Sequence, residues 1–319
     1  MVSASPLRLV FFGTPEFAVP TLDALLDSRH SVVGVVTRPD RARGRGQKTS
    51  VTPVKARALL GRLPVLQPER MNDPDFLASL TSLDADLGIV AAYGKILTES
   101  VLAMPRLGMV NVHASLLPRY RGAAPVHRAV IDGEAETGVT IMRMVKALDA
   151  GPMLATARYA IGPEETSADV ERELAKLGAP LLMSVVDALA AGPVQDVPQD
   201  DLAATYAPRI TREDGIIDWP RPARVLHNLI RGLHPWPHAF TYHRGKRLIL
   251  LRSMPLENSQ PLSVPGTIVE ASADRFRVAT GSGLLGITQL QAEGRRPMTA
   301  REFLAGHALA TGDALTPAP

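Results

Sequence analysis

Apolar residues fall along the first part of this chain in short unbroken runs, each followed by a stretch of helical spacing. "LRLVFF" (7–12) has the look of a buried strand, Gly13 of a turn, and "PEFAVPTLDALLDS" of a helix that opens on proline. "SVVGVVT" (31–37), "DLGIVAA" (86–92), "GMVNVH" (108–113) and "GVTIMRM" (138–144) are further strands, and 53–60, 73–82 and 124–132 carry helical patterns. The alternation predicts an α/β domain with a Rossmann-like, mostly parallel sheet and helices on both faces. Ligands of such sheets bind beyond the carboxyl ends of the strands.

From 168 onward, Val170, Leu174, Leu177, Leu181, Val185 and Leu189 recur at steps of three or four. They predict a helix, bent at Pro180. A proline-punctuated segment without sustained period, 192–208, reads as a linker. Beyond it, a helix near 222–232 and the short runs "AFTYH", "RLILLR", "GTIVEA", "FRVAT" and "LLGITQL" predict a small OB-like β-barrel. The expected organisation is a catalytic domain over 1–191, a linker over 192–208 and a second domain over 209–319.

Composition narrows the chemistry. At 319 residues and 45% hydrophobic, the chain can build a large core. It contains no cysteine, which excludes disulfides, thiolate nucleophiles and Cys-ligated metal centres. No apolar run reaches the roughly 18 residues of a membrane span, and the apolar stretch near the N-terminus is too short for a signal sequence, so a cytoplasmic protein is expected. Net charge is +3 but uneven: residues 1–208 carry 21 Lys+Arg against 23 Asp+Glu, or −2, and 209–319 carry 14 against 9, or +5. That asymmetry points to a polyanionic partner.

Three motifs fail on context. "GSGLLG" (281–286) spells a dinucleotide fingerprint, but a strand follows it, so a hairpin turn is expected. "FFGTPEF" offers one glycine and no Gly-Lys-Ser/Thr, which argues against NAD and ATP. His227, His234, His238 and His243 lack metal-ligand spacing and are expected to be surface or RNA-facing residues, with no metal.

The chemistry gathers in "NVHASLLPRYRGAAPVHRAV" (111–130). Asn111 and His113 lie two apart and share one face at a strand's carboxyl end. An apolar elbow, Ser115-Leu116-Leu117-Pro118, follows, and then an Arg/Tyr/Gly turn. Asp149 stands in a Gly-bounded loop after the next strand, where a carboxylate can orient or ionise His113. The bland alternative is a polar strand end with satisfied side chains.

The stretch resembles the folate-dependent formyltransferase family, as do "FFGTPEFA", "TRPDRARGRGQKTSVTPVK" and "LHPWPHAF", which together span nearly the whole chain. The resemblance implies Asn111, His113 and Asp149 as catalytic residues and Ser115, Leu116, Leu117 and Pro118 as folate contacts, with 10-formyltetrahydrofolate as co-substrate. Formyl transfer to an amine needs donors for an oxyanion and a group to take the amine proton. Asn111 and His113 can supply the first and Asp149 the second. The acid loop reads "ALDAG", with Ala147 and Ala150 where the family often has Gly and Thr, and its flanks also resemble formyltransferases of sugar nucleotides.

Between Arg38 and Lys48, five cations face one acid, Asp40, for a local charge of +4. The two glycines and absent apolar anchors suggest a mobile arm. The resemblance implies methionyl initiator tRNA as its partner, through Arg41, Arg43, Arg45 and Lys48, with Arg209 in the second domain. A monomer without a membrane or an obligate protein partner is expected. An amino-sugar formyltransferase and a nonenzymatic RNA-binding protein on the same fold remain as alternatives.

Overall fold

The computed structural model describes residues 5–43, 48–256 and 263–319. The strands in the first half are β1 (Arg8–Gly13), β2 (Ser31–Val36), β3 (Arg41–Arg43), β4 (Lys48–Ser50), β5 (Val65–Leu66), β6 (Leu87–Ala91), β7 (Met109–His113), β8 (Arg121–Gly122), β9 (Glu136–Arg143), β10 (Met153–Ala160) and β11 (Tyr206–Ala207). Between and after them come α1 (Val19–Leu26), α2 (Pro53–Leu60), α3 (Pro74–Ser82), α4 (Glu99–Leu102), α5 (Pro125–Ile131) and α6 (Ser167–Ala191). The chain forms two compact units. One comprises Met1–Pro125, Glu136–Ala160 and Glu171–Ala207, the other Val126–Ala135, Ile161–Val170 and Pro208–Pro319.

The sheet of the first unit runs β10-β9-β7-β6-β1-β2-β5. Its central strands are parallel, whereas β9 lies antiparallel to β7 and β10 antiparallel to β9. The mostly parallel sheet expected from the apolar runs is present, and β6 and β7 are buried along their whole length. Against one face, Val10, Phe12, Val90 and Met109 pack with Phe76, Leu80 and Tyr93. Phe12 meets Tyr93 edge-on at 5.5 Å. Burial pushes the Tyr93 hydroxyl up to about 12, against the opposing pull of the Arg38 charge.

By length and composition α6 could cross a membrane, with a window of mean hydropathy 1.6. Its apolar stripe is spent internally instead: Leu174, Leu182 and Val186 are fully buried, and Arg172, Glu173 and Lys176 form ion pairs on its surface. This is the pattern of an amphipathic core helix.

In the second unit, β12 (Ala239–His243), β13 (Lys246–Leu256), β14 (Ile268–Ser272), β15 (Arg275–Ala279), β16 (Leu284–Ala292), β17 (Met298–Thr299) and β18 (Leu315–Thr316) accompany α7 (Ala223–Gly232) and α8 (Ala300–Gly306). The antiparallel order is β14-β15-β16-β13-β12-β18. Backbone bonds from Ile268 N to Asp313 O and from Leu315 N to Gly266 O, each 2.8 Å, bring the two edges together. A sheet curled in this way fits the expected small barrel. "GSGLLG" makes the turn between β15 and β16, as expected.

The histidine expectation needs correction at His227, which is 2% exposed. Its ring bonds the Ser253 hydroxyl and the Pro163 carbonyl, so it ties the fold together rather than facing RNA. Burial pulls its pKa down. Arg231 is likewise unavailable to a phosphate: it is buried and bonded to Asn228 and to the Gly162 and Glu165 carbonyls.

Candidate active site

β7 is hydrogen-bonded on both sides, Asn111 lying between Val90 of β6 and Met142 of β9. With its backbone fixed in this way, the strand holds Asn111 (9% exposed) and His113 (5% exposed) on one face. The side-chain amide of Asn111 makes no hydrogen bond to another described residue. Its donors are open to a ligand or to water, since a nearly buried amide costs free energy if nothing satisfies it.

His113 donates from Nε2 to the Tyr120 carbonyl at 3.0 Å. A carbonyl only accepts, so Nε2 carries a hydrogen and Nδ1 is the nitrogen that can gain or lose a proton. Nδ1 lies 3.7 Å from Asp149 Oδ2, an ion pair whenever the ring is protonated. This is longer than a direct hydrogen bond.

The Ser-Leu-Leu-Pro elbow is held by Thr140, which pairs with His113 across the sheet. Thr140 Oγ1 donates to the Ser115 carbonyl (2.8 Å) and accepts from Leu117 N (3.2 Å). Ser115 is fully buried and its hydroxyl donates to the Arg119 carbonyl at 2.7 Å, so it shapes the turn from within. Leu117 is buried too, and Leu116 and Pro118 keep partial exposure. Thr140→Val, nearly isosteric, strips partners from two buried backbone groups and is expected to cost about 1–3 kcal/mol of stability for each group left unsatisfied. Denaturant unfolding of the variant checks this.

Asp149 reaches His113 by a less direct route than strand order suggests. Because β9 is antiparallel, its carboxyl end lies beside the start of β7: Arg143 pairs with Val110, and Met144 N bonds Met109 O at 2.8 Å. The loop over 144–152 must turn back to bring the acid to the far end of β7. Gly151 makes this possible, since a Cβ there would stand 1.8 Å from the Arg143 carbonyl oxygen. Asp149 takes a left-handed backbone, φ 48°, and its Oδ2 accepts from Gly122 N at 2.8 Å. Gly122, at φ 123°, admits no side chain, because a Cβ would meet the Ala207 carbonyl oxygen at 2.7 Å. Ala150 N closes on Ala147 O at 3.5 Å, so the turn forms with alanine at both positions.

Sequence reading missed Thr140, Gly122, Arg121 and Gln199, which brace the elbow and the Asp149 loop. Only the glycine in "RYRG" carried a signal, as a position open to positive φ. Arg121, one of the cations in that turn, is 3% exposed and bonds Gln199 and Asp201.

The basic segment forms an antiparallel ribbon of β3 and β4, with Arg41 opposite Ser50 and Arg43 opposite Lys48. Its base is fixed: Asp40 receives hydrogen bonds from Lys55 and from Gln67 Nε2, the latter at 2.9 Å, and Gln67 also bonds the Arg38 carbonyl. The Lys55 and Gln67 bonds hold the Asp40 carboxyl below its usual range. Arg45 lies outside the described residues. Arg209, in the second unit, is exposed. Among the described residues no group of three or more His, Cys, Asp or Glu side chains is arranged to hold a metal.

The chain is similar to known proteins along most of its length. Residues 7–186 match the family described as formyl transferase, and 209–308 match the formyl transferase C-terminal domain. Methionyl-tRNA formyltransferase of Moorella thermoacetica is 45% identical over 309 residues, covering 97% of this chain and 99% of that protein. The enzyme of the same name from Heliobacterium modesticaldum is 46% identical over 313 residues, covering 96% and 99%. Among solved structures, the N-formyltransferase of Helicobacter canadensis, in complex with folinic acid and dTDP-3-aminofucose, shares the fold at TM-score 0.67 and 16% identity, covering 88% of this chain and 98% of that one. With both domain families matched in order and such identity sustained from end to end, the chain belongs to the methionyl-tRNA formyltransferase family.

Proposed function

We propose that this protein transfers the formyl group of 10-formyltetrahydrofolate to the amino group of methionyl initiator tRNA, supplying the charged tRNA of bacterial translation initiation, as a cytoplasmic monomer. The observation that carries this reading is the Asn111 amide, without a partner among the described residues beside the His113–Asp149 pair. That donor set suits a carbonyl oxygen that gains negative charge as an amine attacks the formyl carbon.

The folate supplies an activated one-carbon group, and the chain supplies position and charge. Asn111 donates to the developing oxyanion, and Nδ1 of His113 adds a second, charged donor when protonated. Asp149 stabilises the protonated ring and accepts the amine proton, directly or through water. Leu116 and Pro118 offer apolar surface to the folate, and the Thr140-braced elbow offers backbone groups. The folate thus contacts the 115–118 turn, while Ser115 acts through its backbone.

On the acceptor side, Arg41, Arg43, Arg45 and Lys48 would meet the acceptor stem. Arg209 and its neighbours in 209–319 would track phosphates, reading little base sequence. Residues 1–191 form the catalytic part and 192–208 the connection. Arg45→Ala should lower kcat/KM for charged tRNA and leave the KM for folate unchanged. With about three or four phosphates neutralised, tRNA affinity should fall with a log-log salt slope near −3. An unchanged kcat/KM for tRNA in the variant would refute the arm's role.

A further inference from the structure

We infer that Gln199 is a positioning residue for Asp149, and that the segment after α6 is a clamp on the acid loop as well as a connection between domains. The inference rests on the reading of Asp149 as the acid of formyl transfer. Gln199 Nε2 has two hydrogens, and both are spent on that loop, one on the Asp149 carbonyl (2.8 Å) and one on the Gly151 carbonyl (2.7 Å). Its Oε1 accepts from Arg121 Nε at 3.0 Å.

Arg121 is buried, and its other contacts point the same way. Its guanidinium bonds Asp201 at 2.8 Å and its backbone N bonds the Thr205 carbonyl at 2.9 Å. The next residue, Gly122, donates its N–H to the Asp149 carboxylate. Arg121 and Gly122 therefore grip Asp149 twice, once at its carboxylate and once, through Gln199, at its main chain.

The clamp is itself anchored at both ends. Val197 and Met153 exchange backbone bonds of 2.8 and 2.9 Å. Ala207 O accepts from Ala123 N at 3.0 Å and Ala124 N at 3.2 Å, beside the β8–β11 pair. Between these anchors Gln199 has a fixed origin and an extended reach.

The loop needs such a brace. It must fold back from the wrong end of an antiparallel strand, residues 145–148 are exposed and contribute little packing, and Asp149 adopts a backbone conformation disfavoured for a residue with a Cβ. An amide tying down the linker alone could have bonded any carbonyl. This one bonds the two that bracket the Asp149–Gly151 turn.

Two substitutions separate positioning from folding. Gln199→Met keeps the length of the side chain and removes all three bonds, whereas Gln199→Glu keeps an acceptor for Arg121 and removes only the donors to the loop. Both are expected to lower kcat for formyl transfer to methionyl initiator tRNA by about 10- to 100-fold, the scale of a misplaced catalytic group, with both KM values near wild type; Gln199→Met, which takes the acceptor from the buried Arg121, should also melt lower, and Gln199→Glu less so. In an Asp149→Asn background neither should lower kcat further. A wild-type kcat in the Glu variant, or a full multiplicative loss in the Asp149→Asn background, overturns the inference while leaving Asp149 its role. An Asp149→Asn protein with wild-type kcat overturns both.

Discussion

Asn111→Ala is expected to lower kcat by about 100- to 1,000-fold, the effect of deleting one preorganised oxyanion donor. The folded state should scarcely notice. The amide bonds no other described residue, so its loss strands no partner, and the stability change should stay within about 1 kcal/mol. Because the donor is needed most where charge develops, kcat and kcat/KM should fall together with KM for folate and tRNA unchanged. Steady-state kinetics beside a thermal melt test this. A variant that loses affinity at full kcat would place Asn111 in ground-state binding and remove it from the reaction.

His113→Ala should cost more and in two ways. Deleting the ring removes the proton-carrying Nδ1 opposite Asp149, a loss of about 100- to 10,000-fold in kcat for a general acid–base group. It also removes the Nε2 hydrogen bond to the Tyr120 carbonyl, so stability should fall by about 1–3 kcal/mol, unlike the Asn111 variant. His113 and Asp149 act as a unit, so His113→Ala combined with Asp149→Asn should be little slower than the worse single variant. Losses that multiply would mean that the two side chains act independently.

How much of this was legible in the sequence follows from which forces leave a periodic trace. The buried strands were readable because a strand covered on both faces is an unbroken apolar run, as in Leu87–Ala91. Asn111 and His113 were readable because spacing of two puts both on one face. The direction of β9 was not readable, since a short apolar run looks the same in either sense, so the route by which the Asp149 loop turns back to β7 leaves no trace in the sequence. Strand β10 mixes half-buried and exposed positions with small residues and so presents no apolar run. The ribbon of β3 and β4 has three residues a side, Arg-Ala-Arg and Lys-Thr-Ser, too short and too polar in sequence to signal a strand. Gln199 sits in a segment whose order comes from side-chain hydrogen bonds to distant carbonyls, and such bonds impose no period.

The central claim is the pairing of a folate formyl donor with a charged tRNA acceptor at the Asn111–His113–Asp149 centre. The most direct test offers the purified protein 10-formyltetrahydrofolate with methionyl initiator tRNA and, in parallel, with a UDP-4-amino sugar, using His113→Ala as control. Formyl should appear on the tRNA alone and be all but lost in the variant. Formyl on the sugar, or transfer to neither acceptor, would contradict the account.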